Sequence, residues 1–267
     1  MSQKSTIAPE RAAPAGSVDA DEVDVVILTW NDGELLAKAV QSARQNQGVT
    51  TNIIVVDNGS QPPANVPEGV VLIRNEHNIG VAAGRNQGIA AGTAPLILIL
   101  DSDAELRAGS LESLVAEQRR TNAGVVVPVF EGQSPEATAG LAPGLVRKTL
   151  RILGRTAEYG SVADTTSESW PVEFGIGACQ LFPRSAWSDV GGIDESFFYG
   201  PEDVDFCLRV LESGRSVRQV ANAPVIHPPR RRNRNPLNRA GLKHAGAVAL
   251  YLGRHGARLV DYRRKAS

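Results

Sequence analysis

The sequence has few cysteines and no long hydrophobic run. Cys179 and Cys207 lie far apart and form neither a disulfide framework nor a zinc-binding pattern. The longest apolar run, around residues 96–100, is too short to span a bilayer. The first 22 residues lack the apolar segment of a signal peptide and are predicted to be disordered. These absences argue against a disulfide-stabilised secreted domain and predict a cytoplasmic protein.

Charge is unevenly distributed, although the net charge is only −1. After residue 229 there are eleven Lys/Arg residues and one acid, so this stretch carries +10 and the preceding chain −11. Such asymmetry is typical of a segment that faces an anionic partner. The candidates are a peripheral contact with the inner membrane surface, a lipid phosphate, the acidic body itself or a second subunit of a homo-oligomer. A solvated helix face remains an equal alternative.

Apolar runs alternate with helix-length segments, which predicts an α/β fold. In the first half, strands are predicted at residues 23–29, 53–56, 70–73, 95–100 and 125–129, with helices after residues 31–32, within 80–91 and over 111–120. In the second half, we predict helices at 145–153, 203–211 and from 236 onward, one strand over 172–182, and one or two short strands within 217–226. Right-handed crossovers would give a mostly parallel central sheet flanked by helices, with a C-terminal helical extension.

Polar residues collect where predicted strands end. Residues 29–31 follow the first strand, Asp57 the second, and Asp101, Ser102 and Asp103 the fourth. Ligands of open parallel sheets bind at the carboxyl ends of the strands. Two carboxylates on one tight turn, joined by diphosphate oxygens, suit Mg²⁺ or Mn²⁺. The alternative for this pair is an acidic helix N-terminus.

Other polar positions near these strand ends suit a nucleotide. The Asp57 carboxylate can accept a hydrogen bond from a pyrimidine imide, or form an Asx-turn. Trp30 can pack on the base, or lie in the core. In the small-residue segment 78–86, amides near Gly80 can approach phosphate, with Arg85 supporting the diphosphate or the metal-binding carboxylates. The segment matches neither the dinucleotide-binding nor the P-loop signature.

A second acidic cluster lies at residues 202–205, at the start of a predicted helix. Crowded carboxylates raise one another's pKa, which suits a general base, but a plain acidic helix start explains the cluster equally well. His227 ends the last short strand, and is either a structural histidine or a further metal ligand.

Several segments, in order, resemble glycosyltransferase family 2, the GT-A fold. They are residues 25–31, 55–60, 78–88, 100–103, 177–179, 191–195 and 202–209, and the last three resemble the acceptor half of bacterial rhamnosyltransferase-like members. The resemblance covers about residues 23–228. It implies a nucleotide-sugar-binding half at 23–130 and an acceptor-binding half at 131–228, followed by a basic helical extension at 229–267.

The resemblance also implies roles for individual residues. It implies donor contacts for residues 29–31, Asp57, Gly80, Arg85, Asp101 and Ser102, and acceptor contacts for Gly177, Ala178 and Glu202. Asp203 would be the general base. Asp103, Asp101 and His227 would bind a divalent metal. The three donor-contacting residues that follow the first strand would be Thr29, Trp30 and Asn31.

The implied activity is inverting transfer of a sugar from a UDP- or dTDP-linked donor, with rhamnose as one candidate, to a hydroxyl of a glycan, lipid-linked acceptor or small molecule. No nucleic acid is expected as a partner. Two other readings stay open: a sugar-1-phosphate nucleotidyltransferase, and a non-catalytic protein that binds sugar nucleotides. Residues 29–33 lack the glycine-rich signature and lysine typical of the former, and the intact acids of both clusters count against the latter.

Overall fold

The structure is a computed structural model that describes residues 21–46, 48–142, 167–228 and 239–255. The predicted helix at 145–153, residues 1–20 and most of the basic C-terminal segment lie outside these ranges. Within them, the strands are β1 (Glu22–Thr29), β2 (Thr50–Asp57), β3 (Val71–Arg74), β4 (Leu96–Asp101), β5 (Glu105–Leu106), β6 (Val125–Phe130), β7 (Ala139–Gly140), β8 (Ser169–Val172), β9 (Phe174–Gly175), β10 (Cys179–Pro183) and β11 (Val217–Ile226).

Helices alternate with these strands through most of the chain. They are α1 (Gly33–Arg44), α2 (Val81–Ala91), α3 (Ser110–Thr121), α4 (Pro135–Thr138), α5 (Arg184–Asp189), α6 (Glu202–Glu212) and α7 (Arg239–His255). The predicted α/β architecture is confirmed. Within the described ranges, no helix combines the length and apolar character needed to cross a membrane.

The main sheet has the strand order β3-β2-β1-β4-β10-β6-β11-β5, with β8 also paired to β11. The first four strands are parallel, and their register sets Thr29 beside Asp57 and Leu28 beside Asp101. The three predicted site segments that follow β1, β2 and β4 therefore begin side by side, at the carboxyl ends of these strands. Farther along the sheet, β10 runs antiparallel to β4 and β6, while β11 runs parallel to β6.

Apolar side chains cover both faces of this sheet. Val25 packs in one core with Leu36 of α1, and Val26 packs in the other with Phe206 of α6. Successive residues of a strand point to opposite faces, so β1 is apolar at four consecutive positions, Val25 to Leu28. The second core also includes Tyr251 of α7, so the described C-terminal helix packs against the second half of the chain.

One predicted strand is wrong. Residues 172–182 form parts of three strands, because β8 pairs with β11, β9 with β7, and β10 with β4 and β6. Glycines mark the breaks. A Cβ on Gly175 would lie 2.6 Å from Val127, and a Cβ on Gly177 would lie 2.5 Å from Arg85. Close packing at these glycines, rather than a continuous ladder, turns the chain toward the candidate site.

Candidate active site

The ends of β1 and β2 are joined by hydrogen bonds. Asn31 has φ +62°, its amide donates to Ser60 Oγ at 2.9 Å, and its side-chain oxygen accepts from Gln61 N at 2.8 Å. Asparagine tolerates this left-handed conformation better than most residues. The Thr29 hydroxyl is buried and has no hydrogen-bond partner in the described structure. Asn31 therefore holds the end of β1 against the turn after β2, next to the exposed Trp30.

Asp57 is buried and organises the turn that follows β2. Its two oxygens accept from Ser60 N at 2.9 Å and Ala64 N at 2.8 Å. Burial raises the pKa of Asp57, but hydrogen bonds from Ser60 and Ala64 outweigh that effect and hold it below its ordinary value. The carboxylate therefore stabilises the turn after β2 through amides three and seven residues on, and not through the i+2 bond of an Asx-turn. A nucleobase contact would use its remaining lone pairs, and stays a prediction.

Asp101, Asp103 and His227 are brought together although His227 lies at the far end of the chain, just after β11. Each offers one ligand atom, and the three atoms all lie within 4.8 Å of one another. His227 Nε2 is 3.4 Å from Asp103 Oδ1, and its ring lies 5.1 Å from that of Phe130. Two carboxylate oxygens and an imidazole are a suitable donor set for Mn²⁺ or Mg²⁺.

Ser102 lies between the two aspartates in the sequence and is buried. Its hydroxyl donates to Asp32 Oδ2 at 3.1 Å. Asp32 directly precedes α1 and makes no side-chain cap to that helix. The contact instead ties the acidic turn to the loop after β1. Ser102 thus contributes to the shape of this turn, while its predicted donor contact stays a prediction.

The loop before α2 uses its amides internally. Ile79 N donates to Asn58 Oδ1 at 3.1 Å, Gly80 N to Asn78 Oδ1 at 2.9 Å, and Val81 N to the carbonyl of Phe198 at 2.8 Å. All three amides are therefore already hydrogen-bonded within the protein. A phosphate contact around Gly80 stays a prediction, and it would need other donors or a rearrangement of this loop.

The glycines of α2 serve packing. A Cβ on Gly84 would lie 2.5 Å from Leu28, and one on Gly88 would lie 2.5 Å from Val26. Both glycines let the helix lie directly on β1. This close approach places Arg85, which lies between them, beside the strand ends.

Arg85 links the two acidic clusters. Its buried guanidinium donates to Asp101 Oδ1 at 2.8 Å, to Glu202 Oε1 at 3.1 Å and to the carbonyl of Gly177 at 2.7 Å. Burial lowers the pKa of this arginine, but the charges of Asp101 and Glu202 outweigh that effect and raise it above its ordinary value. The group is therefore a permanent cation shared by the donor-side and acceptor-side carboxylates.

Glu202 and Asp203 begin α6 and have different surroundings. Glu202 is buried, and besides Arg85 it accepts from Gly200 N at 2.5 Å. Asp203 is less buried, and accepts from Gly177 N and Val204 N, each at 2.8 Å. Burial raises the pKa of both carboxyls. The charge of Asp203 raises that of Glu202 further, and Arg85 opposes both shifts.

Residues 177 and 178 lie between the clusters. Gly177 contacts Asp203 through its amide and Arg85 through its carbonyl. The carbonyl of Ala178 accepts from Asp101 N at 2.9 Å. Asp101, Arg85, Gly177, Glu202 and Asp203 are thus connected through one network of hydrogen bonds, although their individual roles remain predictions.

Two anchoring contacts could not be predicted from the sequence. Asn86, next to Arg85, accepts from Trp187 Nε1 and Ile193 N, each at 3.0 Å, and so holds the loop between α5 and α6. Asp205 of α6 lies 2.9 Å from His255 Nε2 of α7. The members of each contact are more than forty residues apart, and no local pattern marks them as partners.

Comparison with known proteins identifies the fold and the family. The fold matches solved glycosyltransferases of the GT-A class: GalNAc-T7 crystallised with UDP, GalNAc and Mn²⁺ (TM-score 0.61, 18% identity, covering 79% of this chain and 44% of that one), and a Pyrobaculum calidifontis mannosyltransferase in complex with GDP-Man and Mn²⁺ (TM-score 0.58, 16% identity, 81% and 59%). The "Glycosyl transferase family 2" model matches residues 24–191, more than half of the 267-residue chain. The chain therefore belongs to glycosyltransferase family 2.

Two curated relatives come from Mycobacterium tuberculosis. A pre-mycofactocin glycosyltransferase is 31% identical over 91% of this chain and 50% of its own length. An N-acetylglucosaminyl-diphospho-decaprenol L-rhamnosyltransferase is 28% identical over 88% of this chain and 85% of its own length. The chain thus spans about half the length of the pre-mycofactocin relative.

Proposed function

We propose that the chain is an inverting glycosyltransferase that moves a sugar from a nucleotide-diphosphate donor to an acceptor hydroxyl. The observation that carries the proposal is the bridge made by Arg85 between Asp101, beside the candidate metal ligands, and Glu202, beside the candidate base. Because one guanidinium contacts both carboxylates, the two clusters are close enough to act on one sugar.

In the proposed reaction, Asp203 removes the proton from the acceptor hydroxyl as its oxygen attacks the anomeric carbon. The bond to the diphosphate breaks on the opposite side, so a single displacement inverts that centre. Glu202 and the segment 177–178 orient the acceptor, while Arg85 holds Glu202 and Asp101 in place. Asp101, Asp103 and His227 would hold a divalent cation, which when bound stabilises charge on the leaving diphosphate. General-base assistance is worth about 10²–10⁴-fold in rate.

The donor is proposed to be UDP- or dTDP-linked, with a base contacted by Asp57 and Trp30. Rhamnose is supported by the printed activity of the L-rhamnosyltransferase relative. The mannosyltransferase neighbour binds a guanine nucleotide, so GDP-mannose belongs in the same test. For the acceptor, the names of the two curated relatives suggest an N-acetylglucosaminyl-diphospho-lipid and a compound like pre-mycofactocin.

The decisive experiment is donor hydrolysis without acceptor. The full chain is incubated with UDP-, dTDP- and GDP-linked sugars and Mn²⁺ or Mg²⁺, and the products are followed by mass spectrometry. Slow release of nucleoside diphosphate and free sugar is expected from one donor, and its initial anomer should be inverted. Pyrophosphate exchange would instead indicate a nucleotidyltransferase. Donor binding without any turnover would indicate a non-catalytic binding protein.

A further inference from the structure

Three exposed aromatic residues lie beside the candidate site. Among the described residues, four large hydrophobic side chains are strongly exposed: Trp30 at 46%, Val71 at 52%, Phe198 at 39% and Tyr199 at 48%. Val71 lies on the edge strand β3, away from the acidic clusters. Single exposed apolar residues are ordinary, but adjacent exposed aromatics are a feature of interaction sites. Phe198 and Tyr199 are adjacent, and they immediately precede the acidic start of α6.

The aromatic pair is held in place on both sides. The carbonyl of Phe198 accepts from Val81 N at 2.8 Å. Its ring Cδ2 lies 3.0 Å from the position that a Cβ on Gly80 would occupy, so a side chain at that glycine would crowd the ring. On the other side, Gly200 N donates to Glu202 Oε2 at 2.5 Å. Phe198 and Tyr199 therefore lie between the start of α2 and Glu202.

Aromatic rings next to carboxylates match the surface of a sugar. A pyranose has an apolar face of C–H groups and a rim of hydroxyls. Tyrosine and phenylalanine offer rigid apolar area with little loss of side-chain entropy. An ionised carboxylate has about four lone-pair sites, so Asp203, although it accepts two amides, keeps capacity for a hydroxyl. A phosphate group at this position would be repelled by the same carboxylates.

We propose that Phe198 and Tyr199 form the apolar floor of an acceptor subsite, and that the group bound there is a sugar ring. Tyr199, the more exposed of the two, packs on the C–H face of the ring. Asp203 accepts a hydrogen bond from one of its hydroxyls. This inference rests on the proposed function and specifies it: the acceptor is a glycoside, and its ring rather than its aglycone determines recognition at this subsite.

Binding of simple glycosides tests the subsite. Saturation-transfer NMR is recorded on the full chain with UDP and Mg²⁺, using methyl N-acetyl-β-glucosaminide, methyl α-mannoside and methyl α-rhamnoside. Glycerol and tyrosinamide serve as comparison alcohols. Transfer is expected to at least one glycoside, strongest at the C–H protons of one face. Tyr199→Ala should weaken that binding about three- to tenfold, as loss of one aromatic contact does. Phe198→Ala should act in the same direction.

Matched variants distinguish loss of the Tyr199 aromatic ring from a nonspecific effect of substitution on the fold. Tyr199→Phe keeps the ring and should bind like wild type. Val71→Ala removes an equally exposed apolar side chain outside the site and should also bind like wild type. The subsite is refuted if Tyr199→Ala, with an unchanged melting curve, binds glycosides as wild type does, or if only tyrosinamide binds.

Donor hydrolysis distinguishes the two levels of the proposal. If Tyr199→Ala retains hydrolysis and glycoside binding is unaffected, the subsite is wrong and the transferase proposal stands. If wild type hydrolyses no nucleotide sugar, the transferase proposal fails and the acceptor subsite fails with it. Retained hydrolysis together with weakened glycoside binding supports both.

Discussion

At the scale of single residues, the two acids that begin α6 are not equivalent. Glu202 is buried and bound to Arg85 and Gly200, whereas Asp203 is less buried and bound only through backbone amides. A base must reach the acceptor hydroxyl, and the buried Glu202 carboxylate is already engaged by Arg85 and Gly200. These surroundings favour Asp203 as the base and Glu202 as a residue that orients the acceptor.

Asp203→Asn should therefore abolish most transfer while leaving donor binding intact. Asparagine has nearly the same size and can still accept one of the two amides, but it cannot take a proton. We expect kcat to fall about 10²–10⁴-fold, with the dissociation constant for the nucleoside diphosphate changed little. Steady-state transfer and isothermal titration measure the two quantities. Turnover close to that of wild type would eliminate Asp203 as the base.

The raised pKa of Asp203 makes transfer sensitive to acid. A base works only when it is deprotonated, so kcat/KM should be highest above this raised pKa and should be lost as the pH falls through it. In Glu202→Gln one carboxylate no longer competes for Arg85, so the attraction of this cation for ionised Asp203 is undiminished and the acid limb should not move to higher pH. The pH–rate profiles of both proteins test this. An acid limb that moves upward in the variant would contradict the assigned electrostatics.

His227 offers a direct test of the metal site. Its Nε2 lies close to Asp103, and imidazole nitrogen suits Mn²⁺ better than Mg²⁺. His227→Ala should weaken Mn²⁺ binding about tenfold or more, and lower the activity ratio of Mn²⁺ to Mg²⁺. His77→Ala, at an exposed histidine outside the cluster, is the matched control. Calorimetric titration with Mn²⁺ in the presence of UDP measures the affinity. Equal affinity in both variants would remove His227 from the ligand set.

At the scale of elements, the position of α2 determines where Arg85 lies. The helix approaches β1 closely because Gly84 and Gly88 have no side chains. Longer side chains at either position would push the helix from the sheet and carry Arg85 away from Asp101 and Glu202. Packing and site geometry are therefore coupled through one helix.

Gly88→Ala should destabilise the protein by about 1–3 kcal/mol, because its new methyl group would overlap Val26 and crowd Val56. Gly253→Ala in α7 is the matched control, since a Cβ there meets nothing within 4 Å. That substitution should be neutral, or stabilising by about 0.5–1 kcal/mol through helix propensity. Urea unfolding measures both free energies. Equal effects at the two glycines would show that α2 tolerates displacement from the sheet.

Element-level prediction succeeded where local rules determine the outcome. The strand that precedes Asp101 is apolar on both faces, and the parallel-sheet rule then places its end beside that of β1. The prediction of one strand over residues 172–182 was wrong, because the chain there is divided where Gly175 and Gly177 make close contacts with other elements. The Arg85–Glu202 pair spans 117 positions, and no spacing rule connects such residues.

At the scale of the whole molecule, the C-terminal helix contacts the element that carries the acidic pair. Asp205 of α6 binds Arg209 through one oxygen, at 2.7 Å, and meets His255 of α7 through the other, at 2.9 Å. Both Asp205 and His255 are buried, and Tyr251 packs beside them with its ring 5.2 Å from the histidine ring. The sequence predicted a helix here, but not this contact.

Removing the imidazole should loosen this attachment. His255→Ala leaves a buried Asp205 oxygen without its partner, and we expect a loss of about 1–3 kcal/mol in the free energy of unfolding. The His255→Ala, Asp205→Asn double-mutant cycle isolates the pair, and His77→Ala again reports the loss of an exposed histidine. If α7 supports the start of α6, acceptor-dependent transfer should fall in His255→Ala while donor hydrolysis persists. Loss of stability with unchanged transfer would limit α7 to a structural role. If the unfolding free-energy changes of the two single variants add up to that of the double variant, the His255–Asp205 contact itself contributes no stability.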